Sequence, residues 1–235
     1  MTDTRQALYE VRAVARTARE SKEVKAVRES ILQHAMDILV EEGYPSLSMA
    51  KIGSRAHMTA PNIYNYFDNK EQIFLEIHNR AFDLLHAHLR DAVATEEDAF
   101  GKVERLFEAY VDFGIHNRRF YEIMFCTPTP KYSDYKGTFA EKAVFEAKQT
   151  SLKVLEFAFR TVEDFLSKCS GVEEGDARQI TLRAWFLLHG MISLNINRML
   201  AEIDDNPEAL VKEMAGKAIQ SLKRETGREA YQAER

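Results

Sequence analysis

The sequence predicts an all-α fold in which a three-helix head runs without a linker into a C-terminal helical bundle. Three observations carry this. Ten glycines and five prolines in 235 residues gather at a few points. Between those points apolar residues recur at spacings of three and four, the period of a helix with one buried face. No stretch alternates apolar and polar residues for long enough to make a strand.

The first strong helix is VRESILQHAMDILVEEG, with Val27, Ile31, Ala35, Ile38 and Leu39 on one face and Gly43 as its stop. Upstream, Leu8, Val11, Ala15 and Ala18 form a thinner stripe in a different register, so the helix either starts near residue 5 or breaks near Ser21. Thr17 and Glu20 fit a capping box, which favours the break. YPSLS is a loop, Ser48 caps a short helix from Met49 to Ala56, and HMT turns the chain. The Thr59 hydroxyl is placed to cap a second short helix reaching Phe67, with Pro61 in a first turn that lacks an intrahelical partner for its N–H. Asn69 caps a long helix from Lys70 to about Ala94. Thr95 then opens a helix to about His116, and Asn117 opens a shorter one through Phe125. The prolines of CTPTPKYSDYKGT mark a loop. Long helices follow over about 139–168, 176–201 and 207–226, with SGVEEG as a breaker and GREAYQAER as a frayed tail.

Composition excludes several classes. No run of about 18 apolar residues predicts a membrane span, and the charged N-terminus lacks the apolar core of a signal peptide, so a cytoplasmic protein is expected. Cys126 and Cys169 are read as free thiols. His34, His57, His78, His86, His88, His116 and His189 are scattered, with no metal spacing, no catalytic triad arrangement and no glycine-rich phosphate loop. No cofactor is expected. The net charge of −5 is unevenly spread. Residues 12–28 hold six basic and two acidic side chains, and Arg12, Arg16 and Arg19 share a helical face with Lys22 at its edge. That stretch fits either phosphate contacts or a solvated face.

A helix of about 16 residues, a short helix, a tight turn and a second short helix make a helix-turn-helix, whose second short helix enters the DNA major groove. In the segment from Thr59 to Phe67, Ile63 and Phe67 face the core. Ala60, Pro61, Asn62, Asn65 and Tyr66 are left outward or sideways. Asn62 and Asn65 suit bidentate pairing with adenine, and Tyr64 and Tyr66 suit phosphate oxygens. Ser48, Thr59 and Lys70 lie at helix starts, which favour anions. The alternative is a plain helical subdomain with the tyrosines as half-buried spacers.

The string SMAKIGSRAHMTAPNIYNYFDNKEQIF resembles the DNA-binding motif of the tetracycline-repressor-like family of bacterial regulators. Ser48, Met49, Ile52, Thr59, Ile63, Tyr64, Tyr66, Phe67, Asn69, Lys70 and Glu71 stand at matching places. Three positions depart: Gly53 stands where alanine is usual, His57 where the turn glycine is usual, and Met58 where a smaller valine is usual. His57 tolerates a left-handed conformation better than a β-branched residue does.

The resemblance implies a basic extension over 1–25, a DNA-binding domain over 26–72, an effector-binding and dimerisation domain over 73–228 and a tail over 229–235. It also implies a hollow in the aromatic-rich body. The residues expected to line it are Phe107, Tyr110, Phe113, Tyr121, Met124, Phe125, Trp185, His189 and Asn195. Its polar, ligand-orienting groups are sought among His116, Asn117, His189 and Asn195. Trp185 followed by His189 and Gly190 resembles one C-terminal variety of the family, and a mid-helix glycine suggests close approach by another helix. The last two long helices are expected to pair with those of a second subunit, using residues such as Leu182, Phe186, Met191, Leu194 and Met214.

The resulting expectation is a homodimeric repressor. It binds double-stranded operator DNA with two related half-sites and is released by a small, mostly apolar effector. The alternatives are a dimeric helical adaptor without DNA binding, or an enzyme acting on an apolar small molecule.

Overall fold

The computed structural model describes the backbone over residues 3–169 and 176–233, and side chains over 21–169 and 176–222. The described residues are helical, without strands. In chain order the helices are α1 (Asp3–Glu42), α2 (Met49–Arg55), α3 (Ala60–Ile63), α4 (Lys70–Val93), α5 (Ala99–His116), α6 (Arg118–Tyr121), α7 (Glu141–Leu166), α8 (Asp176–Ile196) and α9 (Pro207–Ala233). Two compact units result: residues 1–77 with 127–129, and residues 78–126 with 130–235. The division falls inside α4.

In the first unit, α1 runs unbroken for 40 residues, so the break expected near Ser21 does not occur. The side chains of Arg12, Arg16 and Arg19 lie outside the described residues. Further along, Ile31, Ala35, Ile38 and Leu39 are all fully buried. Gly43 ends the helix at φ +80°, a left-handed backbone that glycine adopts without a steric penalty. Ser48 caps α2 by accepting a hydrogen bond from the Lys51 N–H at 3.2 Å. Lys51 and Arg55 on α2 form ion pairs with Glu42 and Glu41 at the end of α1. Ile52, Ile63, Phe67, Ile73 and Ile77 close the core of this unit. Asn69 caps α4 through the Gln72 N–H at 2.8 Å.

The second unit packs α5, α7, α8 and α9 around Phe107, Phe113, Tyr121, Leu188 and Ile192. Helix α5 begins later than expected: Asp98, not Thr95, caps it, accepting from the Gly101 N–H at 2.8 Å. Thr95 instead donates its hydroxyl to the Ala92 carbonyl, closing α4. After α6 the chain widens into a π turn over Glu122–Cys126. Within one protomer, the close helix approach falls at Gly114 and not at Gly190. Among the described residues nothing comes within 4 Å of a Cβ built on Gly190, whereas a Cβ at Gly114 on α5 would meet Ile192 of α8 at 2.7 Å. Cys126 and Cys169 are free thiols.

Candidate functional site

The segment that follows α2 turns on the three positions where the sequence departs from the family pattern. His57 sits at φ +54°, in the left-handed region. The Met58 N–H donates to the Gly53 carbonyl at 2.8 Å, and a Cβ on Gly53 would lie 2.8 Å from the Met58 carbonyl oxygen. Glycine at 53 thus lets the turn fold down onto α2, while histidine takes the left-handed role in the turn itself.

Helix α3 is shorter than expected. It covers Ala60–Ile63 and then tightens into three-residue turns, with Asn65 N–H donating to Asn62 at 3.2 Å and Tyr66 N–H to Ile63 at 2.9 Å. The Thr59 hydroxyl does not cap it. The Thr59 carbonyl takes the Asn62 N–H instead, at 2.9 Å. Asn62, Tyr64 and Asn65 are exposed, as are Pro61 and Thr59, while Ala60 and Tyr66 are half-buried. The Asn65 amide donates to the Asn62 side-chain oxygen at 3.2 Å, placing the two amides side by side. Ser48 is exposed at the start of α2.

Arg28 on α1 holds the far end of this segment. Its guanidinium stacks 4.0 Å above the Phe67 ring, donates to the Tyr66 carbonyl and pairs with Glu76. A carbonyl left over at the end of a short helix is thereby satisfied by a charged donor. The sequence reading did not single out Arg28 for this, since its partners lie 38 and 48 residues away. Lys70 sets its ammonium 5.0 Å from the centroid of the Tyr44 ring, so its charge rests on an aromatic face at the start of α4.

In the second unit a cavity of about 210 Å³ is lined mainly by hydrocarbon from α4, α5, α7 and α8. Phe107, Tyr110, Phe125 and Trp185 line it. Tyr121 and His189 do not, but form a hydrogen-bonded chain behind it. The Trp185 indole N–H donates to the Tyr110 oxygen at 2.8 Å, the Tyr110 and Tyr121 hydroxyls bond at 2.9 Å, and Tyr121 bonds His189 Nδ1 at 2.8 Å. Burial pushes both phenols well above their usual range and draws His189 below the usual imidazole value.

The remaining expected residues lie away from the lining. Phe113 is buried beside His88, and Met124 is buried in the core. Asn195 accepts the Arg198 N–H through its carbonyl. His116 is exposed and bonded to Asp112, and Asn117 precedes α6. Sequence reasoning missed the contribution of α7, with Ser151, Leu155 and Ala158, and of Thr181 on α8. The apolar spacing along α7 was visible, but which face met a hollow was not.

Residues 31–77 match the model of the bacterial regulatory proteins of the tetR family, and residues 103–217 match the tetracyclin repressor-like C-terminal domain. The chain belongs to the tetR family and is a DNA-binding transcription regulator. It is 27% identical over 170 residues to the HTH-type transcriptional activator FasR of Mycolicibacterium smegmatis, covering 72% of this chain and 69% of that one. It is 25% identical to the transposon Tn10 TetC protein of Escherichia coli over 103 residues, 43% of this chain and 50% of TetC. The fold is shared with the fatty acid degradation regulator FadR of Bacillus halodurans, with a TM-score of 0.58 at 14% identity over 82% of this chain and 93% of that one. No described helix is long and apolar enough to cross a membrane.

Proposed function

We propose that this regulator represses transcription in the cytoplasm as a homodimer, and that a small, mostly apolar effector releases it from its operator. Residues 26–72 are the DNA-binding part and 73–228 the effector and dimerisation part. The observation that carries the DNA reading is the exposed Asn62–Asn65 amide pair on α3, beside exposed Tyr64. Asn62 pairs with adenine in the major groove, and Asn65 holds its amide in orientation. Tyr64, Tyr66, Ser48, Thr59 and Lys70 contact phosphates, while Ala60 and Pro61 allow the backbone to approach the bases. Two α3 segments then meet successive major grooves roughly 34 Å apart.

The dimer reading rests on α8 and α9. Phe186, Leu194 and Met214 are exposed there, as is Met199 in the connection between them, and among the described residues the side of Gly190 is open. The effector reading rests on the cavity beside Tyr110 and Trp185. A ligand changes operator affinity only to the extent that it binds the two head spacings unequally. The test is a gel shift with DNA flanking the protein's own gene, at rising salt. Specific retardation that falls steeply with salt supports the reading. Indifference to every upstream palindrome by folded, dimeric protein overturns it.

Activation is a second reading, favoured by the 27% identical relative named as an activator. A promoter–reporter assay separates the two: a rise in output on deleting the gene supports repression, and a fall supports activation.

A further inference from the structure

Among the described residues, the cavity wall contains no Lys, Arg, His, Asp or Glu. Its polar groups are Ser151, Thr181, Tyr110 and Trp185. The hydrogens of these groups can be followed one by one. The Ser151 hydroxyl donates to the Lys148 carbonyl at 2.8 Å, and the Thr181 hydroxyl donates to the Ala177 carbonyl at 2.7 Å. The Trp185 N–H goes to the Tyr110 oxygen.

Each phenol has one hydrogen, so the rest of the chain has two possible directions. With His189 Nδ1 bare, Tyr121 donates to it, Tyr110 donates to Tyr121, and every hydrogen is used. With a proton on Nδ1 the order reverses. Tyr110 then accepts from both Trp185 and Tyr121, and its own hydrogen turns toward a wall of hydrocarbon, which costs about 1–3 kcal/mol. The first direction therefore prevails.

We propose that the cavity selects an uncharged, mostly apolar molecule presenting a hydroxyl or N–H hydrogen, over the matching carbonyl compound or carboxylate, because the Trp185–Tyr110–Tyr121–His189 chain leads every protein hydrogen away from the cavity. This rests on the cavity being the effector site. The wall offers only oxygen lone pairs, on Tyr110, Ser151 and Thr181. A carbonyl finds no donor there. A carboxylate also finds no cation, and burying it unpaired is costly.

The surroundings of His189 keep the imidazole neutral, and the cost of turning the Tyr110 hydrogen toward hydrocarbon places its single proton on Nε2, leaving Nδ1 bare. Tyr121 faces it at Nδ1, and the uncharged Phe125 and Trp185 rings pack around it. Tyr110 stands behind Tyr121, and the Cys126 thiol, pushed up by burial, lies near both phenols. Glu122, in the same π turn, is held by Arg118 at 2.9 Å. Burial draws the imidazole below its usual range.

Trp185 is the sole tryptophan of the chain and forms part of the wall, so its fluorescence reports occupancy. The full-length protein is titrated with 2-octanol, 2-octanone and octanoate at about pH 7.5. The alcohol is expected to bind tighter than the ketone by on the order of fivefold, the worth of one net hydrogen bond, with octanoate weakest. As pH is lowered, with helix content intact by circular dichroism and the protonation of His189 followed by its imidazole NMR shift, Nδ1 gains its proton, the chain reverses and the alcohol-to-ketone ratio falls toward one, since both ligands can accept from Tyr110. In Tyr110→Phe the Trp185 N–H loses its acceptor and becomes a donor in the wall, so the ratio falls to about one or below at every pH. A ketone or octanoate that binds tighter than the alcohol at about pH 7.5 overturns the proposal alone. So does a ratio that does not move as His189 takes up its proton, or one unchanged in folded Tyr110→Phe. No response to any of the three overturns the proposal and the effector reading of the cavity together.

Discussion

The guanidinium of Arg28, on α1, lies 4.0 Å from the centroid of the Phe67 ring. This contact ties the long first helix to the end of the recognition segment, because the same guanidinium also donates to the carbonyl of Tyr66 and pairs with Glu76. Three kinds of interaction meet on one planar fork. Lysine offers a point charge and cannot reproduce them together.

Arg28→Ala should therefore lower stability by roughly 1–3 kcal/mol, from the lost cation–π contact and the lost charged hydrogen bond. The loss in operator affinity should be larger than that of a variant equally destabilised in the body, because α3 loses its anchor. Arg28→Lys should recover little of either. Denaturant melts and DNA-binding isotherms on the three proteins check this. Full rescue by lysine would mean that charge alone holds the segment.

The turn offers a second test, in two substitutions of opposite sign. Gly53→Ala sets a Cβ 2.8 Å from the Met58 carbonyl oxygen, a backbone atom that cannot swing aside. The turn must shift, and α3 with it, so operator affinity should fall at least tenfold by order of magnitude, as for a misplaced binding element. His57→Gly acts the other way. At φ +54° a glycine avoids the Cβ penalty of the left-handed region, and stability should rise by about 0.5–1 kcal/mol. Thermal melts alongside DNA binding separate the two effects.

Acid should weaken the fold through two histidines. His78 is lowered first by burial and then by the Lys131 charge, against a raising hydrogen bond from Asn79, and His189 is lowered by burial. Both folded values lie below the unfolded one, near 6.5. The unfolded chain therefore takes up protons first as pH falls. The stabilisation is complete above about pH 6.5 and is lost progressively on acidification through the folded values. Denaturation midpoints should drop below about pH 6.5, and His78→Gln or His189→Gln should each flatten the slope. A midpoint that rises on acidification through that window would contradict the assignment.

Much of this architecture was legible because periodicity and capping are local. Gly43, Ser48 and Asn69 are read correctly as helix signals, since each acts within three or four residues. The misreadings share a cause in competition between neighbours. At Thr17 and Glu20 a capping box could be written, but α1 continues through it. At Thr95 a cap was plausible, but Asp98 took the role and the threonine bonded backward to Ala92. The cavity was less legible. Tyr110, Trp185 and His189 stood out by residue type, yet the bonds that join them span up to 75 positions, directly from Trp185 to Tyr110 and through Tyr121 to His189. No helical period reveals which polar side chains meet across a bundle. The same holds for Arg28, which looks like one more charge in a basic stretch until its partners on the recognition segment and α4 are seen.

Base recognition divides unequally between the two amides of α3. Asn62→Ala should cost about 1–3 kcal/mol at one base pair and relax preference there. Asn65→Ala should cost less, because it removes the amide that orients Asn62 and leaves the reading group in place. Lys70→Ala should weaken all sequences alike and reduce the salt slope by about one. Binding measured against an operator library, at two salt concentrations, distinguishes these patterns. Equal and sequence-blind losses from Asn62→Ala and Lys70→Ala would show that Asn62 reads no base.

Gly190 gives a test of the subunit interface that leaves the protomer untouched. Among the described residues nothing lies within 4 Å of the position its Cβ would take, so a larger side chain has room within one subunit. Glycine in mid-helix also costs about 1 kcal/mol relative to alanine, so the isolated helix gains from replacing it. Gly190→Leu should therefore keep or raise the helix content of the monomer. If α8 of a second subunit packs there, the same side chain forces the helices apart, and nearby Phe186, 62% exposed in the protomer, loses its cover. Sedimentation should then report a monomer, and operator binding should fall to the level of a single half-site. A Gly190→Leu protein that remains dimeric and binds its operator normally would remove Gly190 from the interface, and the dimer would have to form through another surface.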